Sequence, residues 1–202
     1  MPVSVTLSEL FERAMGDYPA ARATGRFGVA SPFWPLVGNL RGALQAAPVV
    51  TGSRMMRVGV SFGRGAWAEV PTLAVMDTRE TENQTSGVYM VYLLAADGSS
   101  ISLTLNQGSG DVILDQRGKA EAVLRQRAAR IRPRVLTPAL VAAGFSADPP
   151  DLRATGPLPR AYAAGAIVGK IYARAAVPAD ERLHADLDAL ARVYRSGVPY
   201  RL

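Results

Sequence analysis

The chain has 202 residues, enough for one domain with a substantial hydrophobic core, and 23 basic against 17 acidic side chains give it a formal net charge of +6. It has no cysteine, which excludes disulfide frameworks, thiolate zinc sites and cysteine nucleophiles and suits a reducing compartment. Nowhere are there the roughly 18 consecutive apolar residues of a membrane span, and the first residues lack the basic start of a signal peptide, so a cytoplasmic location is expected.

In chain order, Thr6-Leu7-Ser8-Glu9 fits a capping box, and Leu7, Leu10, Phe11 and Ala14 follow at helical spacing, which predicts an amphipathic helix over 6–16. A stretch punctuated by glycine and proline, from Pro19 to Pro35, leads to a second helix over 36–46, with Leu36, Leu40 and Leu44 on one face. From 54 to 107 the period changes to two. Met56, Val58, Val60 and Phe62 alternate with Arg57, Gly59 and Ser61; the turn Gly63-Arg64-Gly65 leads into a strand over 66–76, where Pro71 marks a bulge or an edge position. Val88 to Leu94 is apolar on both faces, as a central strand is, and Asp97-Gly98 is a hairpin signal before the alternating Ile101, Leu103 and Leu105. The expected sheet is antiparallel with at least four strands.

Helices are expected over 116–131, over 138–143 ending at Gly144, and over 160–175, with a connector over 146–157. A final helix follows Pro178, with Asp180 and Glu181 in its first turn and a buried stripe of Leu183, Leu187, Leu190 and Tyr194.

The charge is concentrated. Residues 117–134 hold Arg117, Lys119, Arg125, Arg127, Arg130, Arg132 and Arg134 against Glu121 alone. Arginine forks bind two oxygens at once and suit phosphate, although a basic helix face is also compatible with simple solvation.

Catalytic constellations are thin. The lone histidine, His184, falls in the terminal helix without partners for nucleophilic or metal chemistry. The run from Gly165 to Lys170 is one residue short of a phosphate loop and has Ile171 where a hydroxyl should hold magnesium. Asp77, Glu80 and Glu82 read as a solvated acidic loop before they read as a cation site. No enzyme activity, metal or cofactor is expected.

The block Met56-Arg-Val-Gly-Val-Ser-Phe-Gly-Arg-Gly-Ala-Trp-Ala-Glu-Val-Pro71, with Ser86-Gly-Val-Tyr-Met-Val-Tyr-Leu93 and Ser102-Leu-Thr-Leu-Asn-Gln-Gly108, resembles the N-terminal DNA-recognition domain of McrB-type, modification-dependent (type IV) restriction systems. Its core is S-F-G-x-G, an aromatic, an apolar residue before proline, and G-V-Y opening a strand. Flanking segments, including Gly165 to Tyr172 and Asp186 to Tyr194, are similar to those of related domains, so the resemblance extends over nearly the whole chain.

The resemblance implies an α/β domain of α+β character spanning 1–202: a mainly antiparallel or mixed sheet at about 54–107, with helical flanks over 1–48 and 115–202. It implies a specificity module that binds duplex DNA carrying a modified cytosine, such as 5-methylcytosine, turns that base out of the helix into a pocket, and works with a motor and nuclease on other domains or subunits. Carried over residue by residue, Tyr89, Leu93 and Thr72 fall on the base pocket, with Trp67 the nearest substitute for the tryptophan the family usually has where this chain has Thr72. Each of Tyr89, Leu93 and Trp67 is also compatible with ordinary core packing. Arg64 occupies the turn position whose side chain fills the space left by the everted base, and Arg57, Lys119, Arg125, Arg127 and Arg130 are the candidate phosphate contacts. The alternatives are a DNA-binding module that does not evert a base and a protein-interaction module whose basic helix docks an acidic partner.

Overall fold

The computed structural model describes residues 5–115 and 118–198. The capping box forms: Glu9 N–H donates to Thr6 Oγ1 at 3.2 Å and Thr6 N–H to Glu9 Oε2 at 2.9 Å, opening α1, Leu7–Ala23. The helix runs beyond the predicted 6–16 because it continues through Pro19. That proline has no N–H for the Met15 carbonyl, and the Gly98 turn packs directly on this oxygen, so closely that a Cβ at Gly98 would lie 2.0 Å from it. Two further α1 amides, of Leu7 and Ser8, donate to the Asp180 carboxylate at 2.9 and 2.8 Å, so the start of the last helix caps the start of the first.

The second helix, α2, is Trp34–Gln45, followed by the short α3, Pro48–Thr51. Then come β1 (Met56–Gly63), β2 (Trp67–Asp77), β3 (Val88–Leu94) and β4 (Ser100–Gln107), the four predicted strands. Pro71 lies just before the first β2 residue paired with β3, Thr72, and opposite a register irregularity between Ser61 and Gly63, so its missing donor breaks no ladder bond. The helices α4 (Gly110–Asp115), α5 (Ala120–Val135) and α6 (Pro138–Ala142) follow.

The predicted helix over 160–175 is corrected. It divides into α7, Pro157–Gly165, and a fifth strand, β5, Val168–Ala173. Gly165 ends the helix against β4, where a Cβ would come within 2.7 Å of Asn106 Oδ1. Ile167 N–H then donates to Leu105 O at 2.8 Å, and the chain pairs with β4 from Val168↔Leu105 to Ala173↔Ser100. β4 is buried, so its outer backbone groups need a ladder partner, and this demand overrides the local helical pattern. The last helix, α8, is Asp180–Gly197, with Leu183, Leu187, Leu190 and Tyr194 buried as predicted.

The five strands lie in the order β1-β2-β3-β4-β5, every pair antiparallel, with eight α-helices among the described residues. This is the expected α+β sheet with helical flanks. One face packs Leu73, Val75, Met90, Tyr92, Leu103 and Leu105 against residues from α1, α2 and α8 and forms the main core. The second face carries a smaller cluster of Val70, Ala74, Met76, Tyr89, Val91 and Leu93, covered by Leu152, Ala154, Tyr162 and Ala163 from the connector and α7.

Candidate nucleic-acid interface

Side chains directly opposite each other in antiparallel strands share a face. The pairs Thr72↔Leu93, Leu93↔Ser102 and Ser102↔Ile171 therefore make one row across β2 to β5, and Ala74, Val91, Thr104 and Gly169 make the next. Tyr89, opposite Asn106, belongs to the same second face. The fold thus brings Tyr89, Leu93 and Thr72 together, but beneath a cover: Tyr89 and Leu93 are each 1% exposed and Thr72 3%. The Tyr89 hydroxyl donates to Gln84 O at 3.0 Å, and burial, with the nearby Tyr162 hydroxyl adding to it, pushes its ionisation well above the usual tyrosine range.

Trp67 is separated from these three. It packs on the main-core side in an aromatic cluster, its ring 5.1 Å from Phe27 and 5.7 Å from both Tyr18 and Phe33, and its indole N–H donates to Arg26 O at 2.8 Å. Tyr18 in turn donates its hydroxyl to Ala68 O, so α1 is latched to the start of β2. Arg64 is exposed at the tip of the β1–β2 turn. Gly63 has φ of 126° and is pressed against the Ala66 carbonyl, where a Cβ would lie at 1.9 Å, so only glycine fits the turn. This turn and the Gly87 end of β3 are at opposite ends of the sheet, about 23 Å apart by strand rise.

On α5, Leu124, Ala128, Ile131 and Val135 face the interior, and Arg125, Arg127, Arg130 and Arg134 between them are exposed. They are not equivalent. Arg125 pairs with Glu121 at 2.6 Å, and the same carboxylate binds Arg160 at 3.0 Å. Arg132 turns inward, donating to Ile167 O at 2.7 Å and Ala166 O at 3.3 Å, which ties α5 to the entry of β5. Arg127 and Arg130 have no hydrogen-bond or ion-pair partner among the described residues and line a cleft of about 410 Å³ with Thr85, Ser86 and Gly108. Lys119 is exposed immediately before α5. Arg57 folds onto its own backbone, donating to Arg54 O at 2.9 Å and Met56 O at 3.1 Å. Arg117 lies outside the described residues.

Of the acidic residues at 77–82, Glu82 is exposed, whereas Asp77 and Glu80 have structural partners. Asp77 is buried and receives Arg79 Nη2–H at 2.6 Å and Nε–H at 2.9 Å; these hydrogen bonds hold its carboxyl below the usual range despite burial. Glu80 Oε1 accepts Val88 N–H at 3.2 Å. No group of three metal-ligating side chains occurs among the described residues, and no helix there is long and apolar enough to cross a membrane.

Sequence reasoning missed two features. The 146–157 connector crosses the second face, fastened by Ala96 N–H to Leu152 O at 2.9 Å and Thr155 N–H to Glu69 Oε1 at 3.2 Å. Asp186, 2% exposed, receives Lys170 Nζ at 2.6 Å, Tyr172 O–H at 2.9 Å and Arg182 Nε at 3.0 Å, so the lysine of the glycine-flanked run holds β5 to α8. The signal for the second was a carboxylate embedded in the apolar stripe between Leu183 and Leu187; no comparable signal marks the path of the connector.

In comparison with known proteins, a family model described as MrcB-like, N-terminal domain matches residues 15–198. Neither the curated proteins nor the solved structures yield a match.

Proposed function

The chain belongs to the MrcB-like N-terminal domain family, and on that premise we propose that it is the DNA-specificity module of a type IV restriction system, recognising modified cytosine in duplex DNA by turning the base out of the helix. The observation that carries the reading is the family match itself, which takes in the whole sheet and both helical flanks. It supports DNA binding in a restriction system. The modified cytosine and its eversion are the finer part of the proposal.

The chemistry of the molecule supports division of labour between affinity and selection. Arg127 and Arg130, one turn apart and without a partner among the described residues, are the phosphate grip, with Lys119 beside them and Arg57 and Arg125 as weaker contributors because their guanidinium groups already have acceptors. Arg64, on its rigid glycine turn, enters the groove or the space vacated by the base. Thr72, Leu93 and Tyr89 underlie the surface that receives the base. Trp67 belongs to the aromatic cluster on the other face. The module itself is non-catalytic and needs no cofactor; a motor and a nuclease on other domains or subunits of a cytoplasmic defence system supply strand cleavage.

One observation favours a second reading, DNA binding without eversion: Tyr89 and Leu93 are sealed beneath the connector. Binding of matched duplexes bearing cytosine, 5-methylcytosine, 5-hydroxymethylcytosine, N4-methylcytosine and N6-methyladenine, at two salt concentrations, tests the proposal. A preference for one modified cytosine that survives at the higher salt supports it. Equal affinity for all five defeats modification reading, and absence of DNA binding defeats the proposal as a whole.

A further inference from the structure

At about 100° per residue, Ala122, Gln126, Ala129 and Pro133 fall on one line along α5, opposite its buried stripe, and all four are exposed. Arg127, Arg130 and Arg134 run along one side of this line, and Arg125 and Arg132 along the other. The helix thus presents a low crest, mostly of small side chains, with a basic row on each flank.

A cleft of about 410 Å³ adjoins each flank. Arg127 and Arg130 line the first, together with Thr85, Ser86 and Gly108. Arg125 and Arg132 line the second, together with Arg160 from α7 and Ala147 and Pro149 from the turn after α6. α5 therefore stands as a ridge between two hollows. This is the relief a helix needs to enter a groove, because neighbouring elements fall away where the walls of the groove would stand.

The dimensions agree with duplex DNA. Sixteen residues make a rod about 24 Å long, and an α-helix with its side chains is about 10–12 Å across, against a major groove about 12 Å wide. The minor groove, about 6 Å wide, is too narrow for it. In a major groove the alanines of the crest let the helix axis approach the bases, and the two arginine rows face the two phosphate backbones. An acidic protein surface would suit the arginines equally but not the crest, which has no aromatic or large apolar anchor to bury in a partner.

The flanks are unequal. Arg127 and Arg130 have no hydrogen-bond or ion-pair partner among the described residues. Arg125 and Arg160 share Glu121, at 2.6 and 3.0 Å, while their side chains stay 63% and 52% exposed. One flank therefore offers two unneutralised guanidinium groups, and the other offers two held in position by a common carboxylate. Gln126 is the long polar side chain of the crest, also without a hydrogen-bond partner among the described residues. Its amide can donate to N7 and accept from the N6 amine of adenine at once.

We infer that α5 lies in the major groove of the duplex flanking the modified site, with Arg127 and Arg130 on one phosphate backbone, Arg125 and Arg160 on the other, and Gln126 at the edge of an adenine. The inference rests on the proposed DNA binding and adds to it a reading of flanking sequence, independent of where the modified base goes.

The test uses a duplex with 5-methylcytosine between flanks of A·T pairs, in which adenines are replaced one at a time by 7-deazaadenine, the analogue that lacks the N7 acceptor. Wild-type affinity should fall about tenfold at one position, and Gln126→Ala should be indifferent to the same replacement. Ala129→Trp raises the crest without removing an arginine and should bind every duplex at least about tenfold more weakly than wild type. Both residues are exposed, so thermal unfolding of the variants should match wild type, which separates loss of the groove contact from misfolding. If Ala129→Trp binds like wild type, or if no 7-deazaadenine position matters, the assignment of α5 is overturned while DNA binding stands. If the wild-type chain binds no duplex, the proposed function falls and this inference with it.

Discussion

The Tyr89 hydroxyl donates to the carbonyl oxygen of Gln84 at 3.0 Å, coupling the centre of the second sheet face to the loop that precedes β3. Gln84 also reaches β1, its side-chain amide donating to Gly59 O at 3.3 Å, so one residue links the tyrosine, the loop and the edge strand.

Tyr89→Phe keeps the ring and removes that link. It should lower stability by about 1 kcal/mol and speed amide exchange at Thr85 and Ser86 without unfolding the sheet. Tyr89→Ala should cost about 3–5 kcal/mol because a buried aromatic leaves a cavity. Denaturant unfolding and hydrogen exchange check both. Equal losses in the two variants would show that the hydroxyl, and not the ring, carries the contribution of Tyr89.

Arg127 and Arg130 differ from Arg125 in having no partner among the described residues. Replacing both by glutamine should weaken binding to all duplexes and reduce the slope of log K against log salt by about 1.8, at about 0.9 per phosphate contact. Arg125→Gln should change it by less than half as much. Salt titrations of affinity measure these slopes, and the same titration on Arg64→Gln tells whether DNA reaches the other end of the sheet.

Asp77 titrates below the usual carboxylate range because Arg79 hydrogen-bonds its charged form. A depressed folded value means stability that is fully present above the unfolded value of about 3.9 and is lost as pH falls through the folded one. Wild-type stability should therefore fall below about pH 4. Asp77→Asn should be less stable at pH 7 and show a shallower loss over that interval, as read by denaturant unfolding at pH 7, 4 and 3.

Two buried tyrosines make a controlled pair. The Tyr92 hydroxyl has no hydrogen-bond partner among the described residues, whereas Tyr194 donates to Val88 O at 2.8 Å. Tyr92→Phe should be neutral or stabilising, because it removes an unsatisfied polar group, while Tyr194→Phe should cost about 1 kcal/mol. Thermal unfolding of the two variants side by side is sufficient to see the difference in sign.

Local signals carried much of the fold. The Thr6–Glu9 capping box, the alternation in β1 and β4, the continuous apolar run of β3 and the stripe of α8 are short-range patterns set by side-chain period and capping chemistry, and each appears in the structure. β5 was illegible because its glycine-flanked residues are strand only in the presence of β4's unpaired edge. The extension of α1 through Pro19 was equally non-local, since the hairpin at Gly98 packs on the carbonyl the proline leaves unbonded.

The sequence by itself determined the family, the antiparallel sheet and the concentration of arginine on one helix, because motif, period and charge are written residue by residue. Only the tertiary structure decided which arginines lack a partner among the described residues, that Trp67 faces away from Thr72, that Asp186 consumes Lys170, and that Tyr89 is sealed beneath the connector. These are questions of which groups partners reach first. Partnering depends on contacts between segments tens of residues apart, and no local pattern encodes it.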